Sequence, residues 1–199
     1  MVASGVLLNT VGMSLLAGAM LGARHAVEAD HIAAVSSMIR PDTSASVLGL
    51  WWAIGHMVPI AVGGLLAVSV GLIMPPWVAA TAESVVGLML IVLGLIGILP
   101  CVGVRLRGRS HALTHRDSFA VGIIHGLAGS GAMIVILTAS VRELPMAAVF
   151  LGGVGIGSVA TMVLLAGAWG RLRRRMAAVQ SVVALVSVAL GVGIILRLV

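Results

Sequence analysis

Ser84-Val85-Val86-Gly87-Leu88-Met89-Leu90-Ile91-Val92-Leu93-Gly94-Leu95-Ile96-Gly97-Ile98-Leu99 contains no charged residue. It belongs to an apolar run over about 78–100, long enough to cross the hydrocarbon of a bilayer, which takes about 20 residues in a helix. Similar runs lie on both sides, at about 4–39, 47–73, 118–140, 144–169 and 177–198. The chain is 60% hydrophobic and 9% charged, with a mean hydropathy of +1.21. Six acids and twelve arginines cannot coat a soluble core of this size, so lipid is the expected solvent. The expected fold is an all-α polytopic membrane helical bundle of about six transmembrane helices, with no room for a second, soluble domain.

The loops separate by charge. Arg40 closes the first segment; Arg105, Arg107, Arg109 and Arg116 lie in the third loop, and Arg171, Arg173, Arg174 and Arg175 in the fifth. The second loop is Met74-Pro75-Pro76-Trp77, and the fourth lies near Arg142-Glu143-Leu144-Pro145. Arginine thus favours loops one, three and five, which the positive-inside rule assigns to the cytoplasm, leaving both termini outside. This distribution accounts for the net charge of +6 and argues against nucleic acid as a partner. The single Cys101 excludes an intrachain disulfide and a cysteine-rich metal cage. No basic stretch precedes the first apolar run, so no cleaved signal peptide is expected.

The two halves resemble each other. Ser84 to Leu99 aligns without gaps to Ser181 to Leu196 (SVVALVSVALGVGIIL). Ile54-Gly55-His56 corresponds to Ile156-Gly157-Ser158, and Gly22-Ala23-Arg24-His25 to Gly122-Ile123-Ile124-His125. Three matches in one order, about one hundred residues apart, indicate an internal duplication. Three spans per unit is an odd number, so the copies insert in opposite senses, giving a 3+3 inverted repeat, a recurring plan of secondary transporters. The expected organisation is one integral membrane domain over 1–199: repeat one about 1–100, an Arg/His loop about 101–117, and repeat two about 118–199. The repeat pairs the 118–140 span with 18–40. A long tilted helix, a kinked one and an additional N-terminal span all satisfy the length of the first segment.

Arg24-His25-Ala26-Val27-Glu28-Ala29-Asp30-His31 places five ionisable groups in eight residues between apolar runs. Charges at bilayer depth cost a few kcal/mol or more, so they line an aqueous path or pair with one another. The plain alternative is a solvated interfacial loop. Imidazole with carboxylate suits Ni, Co, Zn, Mn or Fe. At about 100° per residue, His25, Glu28 and His31 share one face of a helix, and Asp30 points away from His25. Asp30 then meets another helix, sits on a distorted one, or orients a liganding imidazole. His56 and His125 also lie within apolar spans, and each alone reads more readily as a packing histidine. As repeat equivalents, His25 and His125 are expected to meet near the pseudo-twofold axis. His111 and His115 read as solvated loop residues. The pairs Gly18/Gly22 and Gly153/Gly157 have the spacing that lets helices approach closely.

With these residues the chain resembles the nickel/cobalt transporter superfamily. His25 to His31 fits its hallmark, a histidine, four residues, then Asp-His, and Arg24 to Val35 fits the surroundings, with Glu28 where Asp is common. Gly55-His56 fits a second motif. The similarity is greatest to the short urease-accessory-type permeases, which carry a segment like His125-Gly126-Leu127-Ala128-Gly129-Ser130. The longer permeases follow Gly-His with Ser-Thr-Val-Val, where this chain has Met57-Val58-Pro59-Ile60, and they carry later Asp/Thr-rich motifs absent here. The resemblance implies a permease for a divalent transition metal, Ni²⁺ or Co²⁺ as transported ligand, in a bacterial-type plasma (inner) membrane. It implies His25, Asp30, His31 and His56 as site residues; Glu28 and His125 come from helix geometry and the repeat.

No catalysis and no prosthetic group are expected. The partners expected are the metal ion and the lipid bilayer, with a homo-oligomer or a cytoplasmic metallochaperone left open. Three rival readings fit some of the same residues: a metal-binding accessory protein that does not transport, a haem protein with His25, His56 and His125 as axial ligands, and an intramembrane hydrolase using His125 and Ser130.

Overall fold

A bilayer forces every backbone polar group to find its partner within the chain, so apolar runs of this length close their hydrogen bonds as helices. The computed structural model describes residues 2–39, 44–71, 74–98, 114–127, 131–141, 143–175 and 178–197. Among them are eight helices and no strand: α1 (Val2–Ala26), α2 (Ala29–Met38), α3 (Ala45–Val70), α4 (Pro76–Ile98), α5 (His115–Gly126), α6 (Gly131–Ala139), α7 (Leu144–Arg175) and α8 (Ala178–Leu196). Among the described residues, three stretches are long and apolar enough to span a bilayer: Ala45–Val70, Pro76–Ile98 and Leu144–Leu172. Leu88 and Leu95 on α4, Ile156 and Leu164 on α7, and Leu185 on α8 project outward. A row of exposed large side chains like this suits lipid, whereas in water it would be an aggregation surface. The chain is a helical membrane protein.

Four of the expected spans appear as single helices with ends shifted by a few residues. The other two do not. The segment 4–39, too long for one straight crossing and compatible with a tilted helix, a kinked one or an added span, is two helices, because the chain turns at Val27 and Glu28. Val27 N–H donates to the Arg24 carbonyl (3.2 Å) and Glu28 N–H to the His25 carbonyl (3.1 Å), closing α1 with short-range bonds. Glu28 is extended (φ −63°, ψ 147°), and its carbonyl accepts from Ile32 N–H (3.1 Å) to start α2. Likewise 118–140 appears as α5 and α6, with residues 128–130 outside the described set. Thr114 caps α5: its hydroxyl accepts from Asp117 N–H at 3.3 Å, and Asp117 accepts from Thr114 N–H at 2.8 Å. This reciprocal arrangement satisfies orphan donors at a helix start. His25 and His125 are each the penultimate residue of their helix, α1 and α5.

Packing follows the small residues. α1 lies against α7, α5 against α3, and α4 against α8. The two glycine pairs of the sequence face each other across one interface. A Cβ on Gly18 or Gly22 would meet the carbonyls of Phe150 or Val154, and one on Gly153 or Gly157 those of Leu15 or Ala19. With no hydrophobic effect to drive helices together in lipid, such backbone approach is what holds them. The α3–α5 contact is built the same way, Gly55 against Phe119 and Gly122 against Trp52, and it brings His56 beside His125. Ser118 fixes its register by donating its hydroxyl to the Leu48 carbonyl (2.7 Å).

Candidate metal centre

The turn between α1 and α2 turns the Arg24–His31 string inward. His25 sits in the last turn of α1. Asp30 lies in the first turn of α2, where the helix dipole favours a carboxylate. Asp30 Oδ1 accepts from His31 N–H at 3.0 Å, satisfying one of the helix's free donors. The single-helix face expected for His25, Glu28 and His31 is therefore corrected. They converge because the helix stops between them, and Glu28 occupies the break.

Four imidazoles meet at this point, two from the ends of α1 and α5 and one each from α2 and α3. His25, His31, His56 and His125 are each no more than 2% exposed. His56 Nε2 lies 2.9 Å from His25 Nε2 and 3.2 Å from His31 Nε2. A ring nitrogen offers one in-plane proton or lone pair, so hydrogen bonding satisfies one of these two contacts and not both. Nitrogens that share one cation at 2.0–2.1 Å stand roughly 2.8–3.4 Å apart in adjacent positions. The observed spacing is the one a bound cation would impose.

The carboxylates lie at the more open side. Glu28 Oε2 is 3.2 Å from His25 Nδ1 and 3.8 Å from His31 Nδ1, with its side chain 31% exposed. None of the four Nδ1 atoms makes an aligned hydrogen bond. Of the placements open to Asp30, contact with another helix is the one seen: its Oδ2 is 3.1 Å from His125 Nε2 on α5. His125 thus enters the cluster through Asp30 and by stacking on His31 (centroids 4.8 Å apart, planes at 20°). The expected meeting of His25 with His125 gives way to this contact. All six candidates, His25, Glu28, Asp30, His31, His56 and His125, stand in one constellation. Two three-residue groups within it offer ligand atoms mutually within 4.8 Å: His25, His31, His56 and Asp30, His31, His125.

Trp52 also belongs to this constellation, though nothing in the motifs singles it out. It is fully buried, stacks on His56 (4.9 Å, 9°) and meets His31 and His125 edge-on at 5.3 Å each. The signal was its i, i+4 spacing from His56, which puts both on one helix face. His115 is exposed at the start of α5, beside Trp51 (6.5 Å), away from the described ligands. His111 and Ser130 lie outside the described residues. The 2.9 Å between the His25 and His56 nitrogens argues against a haem between that pair, since trans ligands of one metal stand about 4 Å apart.

The chain is 28% identical over 164 residues to the urease accessory protein UreH of Bacillus sp. (strain TB-90), covering 74% of this chain and 72% of that one. No family model matches the chain. No solved structure matches it. The resemblance read from the His25–His31 motif and this match along most of the chain coincide: the protein is similar to a UreH-type urease accessory protein.

Proposed function

We propose that the protein is a multi-pass plasma-membrane permease for a divalent transition metal, Ni²⁺ or Co²⁺, which passes through the His/carboxylate cluster as cargo. The observation that carries this reading is the convergence of three buried imidazole nitrogens beside two carboxylates. Such a set suits a borderline divalent metal and not Ca²⁺ or Mg²⁺, which take oxygen ligands. Neutral imidazole is the ligand form, and lipid-facing helices around it keep bulk water from competing.

In this reading α1 with α2, and α5 with α6, each make one discontinuous crossing. The chain then has six crossings in two inverted halves, as one integral domain. Support comes from the equivalent placement of His25 and His125, and from pairing α1 on α7 and α5 on α3, which an exchange of halves interconverts. Broken helices meeting near the midplane are where transporters of this plan hold their ions.

The test is flux of radiolabelled Ni²⁺ and Co²⁺ into proteoliposomes containing the full chain. Wild type is expected to move one or both down a gradient, and Asp30→Asn to lower the rate at least about tenfold. Absence of flux for any divalent metal, with binding retained, would favour a membrane-bound accessory protein. Glu28→Gln probes the outer carboxylate. Removing its charge behind His25 and His31 is expected to weaken Ni²⁺ binding about 10–100-fold. Titration calorimetry on the detergent-purified protein reads this directly, and unchanged affinity would remove Glu28 from the site.

A further inference from the structure

The cluster divides into two ligand sets. His25, His31 and His56 form one, and Asp30, His31 and His125 the other; His31 belongs to both. We propose that these are two alternative positions for a single divalent transition-metal ion, which moves between them by exchanging partners around His31. The proposal rests on the permease reading and adds to it the number of positions and the residue that links them.

His31 is built for this role. Its Nε2 faces His56 (3.2 Å), while its Nδ1 faces Asp30 Oδ1 (3.6 Å) and Glu28 Oε2 (3.8 Å). Its ring stands perpendicular to His56 (89°) and nearly parallel to His125 (20°), so the two sets approach it from different directions. Each set also has one carboxylate within reach. Glu28 backs the three-histidine set without joining it, and Asp30 is itself a member of the other. A cation of charge +2 thus meets similar compensation in either position, and neither holds it as a trap.

Double occupancy is disfavoured by the same geometry. A neutral imidazole offers one lone pair, so His31 cannot serve two ions at once, and two carboxylates would face four positive charges. Moreover, Asp30 and His125 are engaged with each other at 3.1 Å, so the second position opens only when that contact breaks. The first position does not depend on that contact. A cation passing to the second replaces an existing hydrogen bond, which makes the exchange stepwise.

The proposal predicts distinct ligand sets in two single variants of the full chain. Ni²⁺ binding is measured by calorimetry and its ligands by X-ray absorption, on wild type, His56→Ala, His125→Ala and the double variant. Wild type should bind one Ni²⁺. His125→Ala should retain one Ni²⁺ on three histidines, and His56→Ala one Ni²⁺ on two histidines and a carboxylate oxygen. The double variant should bind at least 100-fold more weakly, and each single variant should lose at least tenfold in flux. His56→Gln and His125→Gln serve where an alanine variant does not fold. Two Ni²⁺ per wild-type chain, the same ligand set in both variants, or loss of binding in either alone overturns the proposal. If wild type moves no metal yet the variants show different sets, the two positions stand and the permease reading falls. If wild type transports while both variants share one set, the reverse holds.

Discussion

Replacing His31 by alanine is expected to lower Ni²⁺ flux in proteoliposomes by more than about 100-fold, the largest effect of any single substitution at the cluster. Loss of an outer partner of a metal ligand already costs about 10–100-fold, and His31 is an inner candidate that faces both halves of the constellation. Its imidazole touches His25, His56, His125 and Trp52 at ring separations of 4.4, 4.7, 4.8 and 5.3 Å. No neighbour can replace it, since each already has its own place in the packing. A cavity also follows, because the side chain is only 1% exposed, and removing a buried side chain of this size costs about 2–5 kcal/mol. Thermal unfolding of His31→Ala and His31→Gln separates the two causes: glutamine fills much of the volume but cannot supply an imidazole. His115→Ala, at an exposed position, is the comparison that should leave flux intact. If His31→Gln folds and retains flux within twofold of wild type, the cluster is not the path.

The second large effect concerns the frame that holds the cluster. Gly157→Leu is expected to destabilise the protein by about 3 kcal/mol or more, the upper end for overpacking. A Cβ at Gly157 would run into the Ala19 carbonyl of α1, and backbone cannot rotate away as a side chain can. The helices must separate, which withdraws α1 and with it His25 from His56. Gly152→Leu is the matched control on the same helix, for a Cβ there meets nothing within 4 Å. Denaturant titration in detergent followed by helical signal should show a lowered midpoint for Gly157→Leu alone. Equal midpoints for the two variants would mean that the close α1–α7 approach is not what holds these helices.

Much of the architecture was legible because the bilayer sets its rules locally. Any run like Ser84–Leu99 must satisfy its own backbone, so apolar length alone decides that it is a helix. The buried ionisable cluster was legible for a related reason: His25, Glu28, Asp30 and His31 would not lie between apolar runs without a use or a partner. The glycine pairs announced a close contact, though not that each was the other's counterpart. Three things belonged to the tertiary structure alone. A kink in the first segment was open, but its place at Val27 and Glu28 was hidden because no proline or glycine marks it; it is visible only where α1 ends against α7 and α2 begins inside the bundle. The partner of Asp30 proved to be His125, ninety-five residues away, a contact that depends on α5 lying close on α3. Trp52 joined the cluster for the same reason, since an aromatic residue in an apolar span looks alike whether it faces lipid or imidazole. In lipid both faces of a helix are apolar, so periodicity does not say which face turns inward; small residues and packing decide it.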